Sequence, residues 1–168
     1  MKKLPVFAIL AICALPVFAQ ENKMTQMLAK HWRTSKDLTL AVAGAMPEAD
    51  YGFKPNADEM DFGKLMAHMA VAQANYVSRA TGDKNPFAMP ETVDRAAALK
   101  LLENSYDYCI KKIEAMPDDQ LSKMVGPEGK QVGVAEAIWG GFTHTAHHRG
   151  QAEVYLRVKD IKPPAYKF

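Results

Sequence analysis

Two histidines stand four residues apart in the run His144-Thr145-Ala146-His147-His148-Arg149-Gly150-Gln151, and a third, His68, stands far upstream. Four residues advance a helix by about 400°, so side chains at that spacing share a face, one turn apart. Two imidazoles placed this way can share one metal ion. A third from another helix completes a three-histidine site with open positions, the arrangement of a catalytic rather than a structural metal. Neutral imidazoles leave a divalent ion its full charge. A water on such an ion can approach a pKa of about 7 and act as a nucleophile; the ion can instead hold a thiolate or polarise a carbonyl. No carboxylate belongs to the set, so the two-histidine, one-carboxylate iron pattern is not met. Zinc or nickel is the expected cofactor.

The plain alternative has to be kept beside this one. A lone histidine on an apolar face is ordinarily a packed or hydrogen-bonded core residue, and a pair at this spacing also arises by accident. His147 lies about 100° round the helix from His148 and is expected to face outward or to support a ligand from behind. His31 shares a stripe with Met24, Met27 and Leu38 and is expected to pack or hydrogen-bond. Gln151, Tyr155 and Asn75 are candidate partners for the ligands' second ring nitrogens. Glu136 and Glu153 are poorly phased with His144 and His148. Arg149 reads as a surface or helix-end ion pair. Gly140, Gly141 and Gly150 read as sites where a neighbouring helix comes close, and the methionines as core filler.

The elements that must position these residues are helical. Four segments carry apolar spacing near 3.6, separated by breaks rich in proline or glycine. They run over about 23–46, stopped by Pro47; 61–80, with Asp61 as N-cap and Thr81-Gly82 beyond; 94–116, stopped by Pro117; and 134–159. The inner stripe of the third is expected to be Ala98, Leu101, Leu102, Ser105, Cys109, Ile113 and Met116. The fourth should face inward with Val134, Ala137, Ile138, Gly141, Thr145, Ala152, Tyr155 and Leu156, and His144 and His148 fill the middle of that face. The second should do so with Phe62, Leu65, His68, Ala72 and Tyr76. All three histidines then point into the bundle, where burial without a shared ligand is costly. No segment alternates in the manner of a strand. An all-α four-helix bundle is the expected fold.

The N-terminus reads as an export signal. Lys2 and Lys3 precede an apolar run over 4–15, and Ala19 precedes Gln20. This is the pattern of a cleaved secretory peptide at 1–19, too short for a membrane span. Cys13 follows the bulky Ile12, a poor lipidation context. The exported chain, 20–168, has the size of one domain and is expected in the periplasm or outside the cell. It keeps only Cys109, so it forms no internal disulfide. The formal charge of +2 is carried by Lys2 and Lys3. The remainder is neutral, which argues against a nucleic-acid footprint. No second long apolar run exists, so no membrane span is expected.

Two blocks of residues resemble the DinB/YfiT-like metalloenzymes, in particular their secreted members. One is Tyr51-Gly52-Phe53-Lys54-Pro55 with Asp61-Phe62-Gly63-Lys64-Leu65-Met66-Ala67-His68 and Asn75-Tyr76. The other is 144–151 with Tyr155-Leu156-Arg157 and Ile161-Lys162-Pro163-Pro164. The resemblance implies a four-helix bundle with up-down-down-up connectivity. It also implies a metal triad of His68, His144 and His148, favouring His148 over His147. Some relatives use low-molecular-weight thiols, which are cytosolic, whereas this chain carries an export signal. The readings in play are a metal-dependent hydrolase or transferase acting on a small molecule, a metal- or small-molecule-binding protein without turnover, and a structural bundle, with a homodimer open in each case.

Overall fold

A computed structural model describes residues 23–166; the expected export signal, with Cys13, lies outside them. Four helices dominate: α1 (Lys23–Ala45), α2 (Phe62–Thr81), α3 (Arg95–Glu114) and α4 (Val134–Val158). Their ends follow local chemistry. Asp61 accepts from Lys64 N–H and Asp94 from Ala97 N–H, each at 2.7 Å, which satisfies amides that the first helical turn leaves free. Gly82 closes α2 in the left-handed conformation, φ 74°. The start of α1 is capped from a distance: Asp118 accepts from Met24 and Thr25 N–H at 3.0 and 2.9 Å.

Side-chain pairs give the helix directions. Arg33 pairs with Glu114, Lys36 with Asp107, and Arg95 reaches Gly44 O, so α1 and α3 are antiparallel. Gln73 bonds Ser105 and Ser78 bonds Tyr108, so α2 and α3 run together. Tyr155 reaches Met60 O while Tyr76 packs on Gly140 and Gly141, so α2 and α4 are antiparallel. The bundle is therefore up-down-down-up, in the ring order α1–α3–α2–α4. Parallel α2 and α3 need a long return, which residues 82–94 supply. At roughly 3.3 Å per residue they can retrace the length of a twenty-residue helix, about 30 Å.

The buried faces of α3 and α4 follow the sequence stripes, with Tyr106 and Ile110 added to α3. The stripe proposed for α1 is corrected. Thr25, Ala29, Trp32, Ser35, Leu38, Thr39, Val42 and Ala43 face inward, while Met24 and Met27 are about half exposed. The physical reason is that the inward polar residues are paired. Ser35 Oγ and Thr39 Oγ1 lie 2.9 and 2.8 Å from the hydroxyl of Tyr106, which is fully buried. Methionine is likewise not uniformly core filler: Met46, Met66, Met69 and Met116 are buried, whereas Met89 and Met124 are exposed. A short antiparallel ribbon, β1 (Met124–Val125) with β2 (Val132–Gly133), precedes α4. Two residues per strand are too few to show alternation in sequence. No helix among the described residues is long and apolar enough to cross a membrane.

Candidate metal centre

The start of α2 is held by the first motif block. Gly63 N–H donates to Tyr51 O at 2.8 Å, Phe62 N–H donates to Phe53 O at 3.0 Å, and the Tyr51 hydroxyl donates to Ala43 O at 2.7 Å. Gly63 is required there, because a Cβ would lie 2.4 Å from Val93 O. These contacts fix the helix one and a half turns before His68. On α4, Gly140 and Gly141 admit the ring of Tyr76; a Cβ on Gly141 would come within 2.9 Å of Tyr76 Cβ. The two helices are thereby drawn together where the histidines meet.

Three Nε2 atoms converge. His68 lies 3.3 Å from His144 and 3.2 Å from His148, and His144 and His148 are 3.2 Å apart. Donors at tetrahedral angles around an ion at about 2.05 Å lie about 3.3 Å apart, and donors at right angles about 2.9 Å. The separation fits the tetrahedral case. These three form the one cluster of potential metal ligands among the described residues, and no carboxylate joins them. His148 Nδ1 donates to Gln151 Oε1 at 2.6 Å. That places its proton on Nδ1 and leaves the Nε2 lone pair facing the other two rings, the tautomer a metal needs. Burial, then the neighbouring His148, His68 and His147 rings, hold His144 down at about 4. Burial and His148 lower His68. Both shifts keep imidazole neutral. The donor set therefore fits a divalent ion.

Several expectations are revised. The histidines are half-buried at the α2–α4 seam rather than inside the bundle. The fully buried face of α2 instead carries Met66, Met69, Gln73 and Val77 beside Phe62 and Leu65. Gln151 takes its expected place, but Asn75 and Tyr155 do not: Asn75 is exposed and bonds Asn85, and the Tyr155 hydroxyl donates to Met60 O at 2.8 Å. Glu136 closes the N-terminus of α4 and Glu153 pairs with Arg157. Gly150 faces open space. His147 is exposed, its ring 5.0 Å from that of His148. His31 lines a cavity between α1 and α4, away from the trio. Arg149 is no surface ion pair; its Nη1 donates to Ser35 Oγ at 2.9 Å. The ring of Tyr76, 5.8 Å from that of His144, is a wall of the site; the sequence had placed Tyr76 on the inward stripe of α2 but not beside the metal ligands. Its signal was the Gly140-Gly141 pair, which makes room for a large ring.

Residues 31–152 match the DinB superfamily. No curated protein matches the chain. Among solved structures, a DinB-like protein from Bacillus subtilis superposes with a TM-score of 0.71 at 20% identity, covering 84% of this chain and 97% of that one. A DinB-like protein from Bacillus cereus gives 0.74 at 14% identity with the same coverage. A variant of a mycothiol-dependent maleylpyruvate isomerase gives 0.58 at 19% identity, covering 79% of this chain and 66% of that one. At these identities the likeness is one of fold.

Proposed function

The chain belongs to the DinB superfamily, and on that premise we propose that it is a metal-dependent hydrolase or transferase, with His68, His144 and His148 as ligands to one divalent ion. The observation that carries this reading is the triangle of Nε2 atoms at 3.2–3.3 Å. No ordinary hydrogen-bonding scheme satisfies three mutually facing ring nitrogens, and a shared cation does. The tetrahedral spacing favours zinc, with nickel as second choice. A bound ion supplies a Lewis acid with an open position for a small-molecule substrate. The chain supplies the rest. Gln151 fixes the tautomer and tilt of His148, Tyr76 walls the site beside His144, and the half-buried setting lets a substrate reach the seam.

The lack of a carboxylate beside the trio favours a second reading, a metal- or small-molecule-binding bundle without turnover. We also propose that the protein is exported, supported by Lys2, Lys3, the apolar run and Ala19. Export would separate it from cytosolic thiols, so thiol-dependent chemistry like that named for the isomerase ranks behind hydrolysis or transfer to other acceptors. Elemental analysis of untagged protein from its native compartment tests the metal claim. About one equivalent of zinc or nickel per chain is expected, and none would sink it. Turnover of an ester, amide or phosphoester panel by metal-loaded protein, abolished in His148→Ala, separates the enzyme from the binder. Mass spectrometry of the same preparation should find Gln20 at the N-terminus.

A further inference from the structure

α4 carries a second chemical feature on its other flank. Arg149 follows His144 by five residues, about 140° round the helix, and so faces α1 rather than α2. A cavity of about 310 Å³ opens there, at the lower end of the roughly 300–1,000 Å³ of small-molecule sites. Its walls are largely apolar, with Met27, Leu28 and Leu38 from α1 and Trp139 and Phe142 from α4, and none of the three converging histidines lines it. The indole of Trp139 is 59% exposed and stacks on Phe142 at 5.6 Å, which gives the cavity an aromatic rim.

Arg149 is the permanently charged residue of this lining, which also includes His31, and its hydrogen bonding is incomplete. Nη1 donates to Ser35 Oγ at 2.9 Å and to Thr39 Oγ1 at 3.4 Å. Those hydroxyls are themselves held by the buried Tyr106. A guanidinium has five N–H donors in a fixed fork. Among the described residues Nε and Nη2 have no acceptor, no carboxylate pairs with Arg149, and neither atom is sealed from solvent. One edge of the fork is thus anchored by the protein, while the other is left unpaired on a residue that lines the cavity. That edge matches the two oxygens of a carboxylate, and a partly desolvated site strengthens the pair.

We propose that the α1–α4 cavity is a binding site, separate from the histidine cluster, for a small amphipathic carboxylate whose head pairs with Arg149 and whose apolar body lies against Leu28, Leu38, Trp139 and Phe142. One free guanidinium edge pairs with the two oxygens of one carboxylate. At about 30 Å³ for each water-sized group, the volume takes roughly ten non-hydrogen atoms, the size of octanoate.

Isothermal titration of the whole protein with octanoate and with octan-1-ol, in EDTA so that no metal can hold the carboxylate, tests this. Wild-type protein is expected to bind octanoate saturably at about one per chain. Arg149→Gln should weaken octanoate by roughly ten- to a hundredfold, the loss of a hydrogen-bonded charge, and leave octan-1-ol nearly unchanged. Because Arg149 also braces Ser35, Met27→Glu serves as a second variant. Met27 is 46% exposed, so the change spares the core while adding a negative charge to the lining, and it should weaken octanoate selectively. No saturable heat at millimolar octanoate overturns the proposal. So does equal weakening of acid and alcohol in Met27→Glu. So does a dimer by light scattering that takes up no octanoate, which would make a second copy the occupant.

Discussion

The two flanks of α4 solve opposite problems with the same helix. Toward α2 the seam is closed. Gly140 and Gly141 let the ring of Tyr76 in against the helix backbone, and the Nε2 atoms of three imidazoles converge. Toward α1 the seam is open: Trp139 and Phe142 line a cavity with residues of α1, and Arg149, tied to a hydroxyl network, lines it too. Close approach lets side chains from two helices converge on one atom-sized point. Large residues at the same depth hold helices apart and leave room for a molecule. The face of α4 that carries a potential metal centre and the face that carries a potential organic-ligand site are set by residue volume as much as by residue chemistry.

The comparison breaks most sharply at adjacent residues. His148→Ala should abolish stoichiometric zinc binding, whereas Arg149→Gln should keep about one zinc per chain, read by elemental analysis after dialysis. Loss of zinc in both variants would mean the flanks are one site. Gln151→Ala acts on the closed flank alone. It frees the tautomer of His148 and should weaken zinc by about 10–100-fold without changing stoichiometry, measured by competition with a chromogenic chelator.

Glycine replacements compare the packing directly. Gly141→Ala forces a Cβ to within 2.9 Å of Tyr76 and 3.3 Å of Trp32 and should cost about 1–3 kcal/mol in chemical denaturation. Gly150→Ala meets nothing within 4 Å, so helix propensity decides, and a gain of about 0.5–1 kcal/mol is expected. A loss at Gly150 as large as that at Gly141 would contradict the packing.

The closed flank should also respond to pH when metal-free. His144 is held at about 4 by burial and then by neighbouring imidazoles, below the ordinary 6.5, so the unfolded chain takes up the proton first. The contribution of His144 to stability is then full above about pH 6.5, falls as pH drops from there toward 4, and changes no further below. Urea midpoints independent of pH across that window would refute it. Excess zinc should protect the fold near neutrality, since metal and protons compete for the same nitrogens. The smallest effect is expected for His147→Ala. Its ring is exposed beside His148, and zinc affinity should change little.

Much was legible in the sequence because helical periodicity and end chemistry are local. Pro47, Asp61, Gly82, Asp94 and Pro117 each stop or start a helix through their own backbone or nearest side chain. The stripe from Val134 to Leu156 follows from 3.6 residues per turn alone. The face shared by His144 and His148 is of this kind too. Met24 and Met27 misled on α1, and the inward threonines and serine went unread, because their burial depends on partners that sequence order does not reveal. Thr25 turns inward to Asp118, and Ser35 and Thr39 to Tyr106 and Arg149. Asn75 and Tyr155 failed as supports for the histidines for the same reason: each had a better partner elsewhere in the chain.

The sequence by itself determined that this chain forms four helices, where each begins and ends, and which two histidines of α4 lie on one face, since all of this is settled within a few residues by dihedral preference, capping and hydrophobic spacing. Tertiary structure decided that His68 reaches that face within 3.3 Å, that Gln151 rather than Asn75 or Tyr155 orients a ring, and that Arg149 turns to a cavity instead of solvent. These depend on how far apart two helices come to rest, and that distance is set by the summed volumes of glycine, tyrosine and tryptophan side chains brought together from distant parts of the chain.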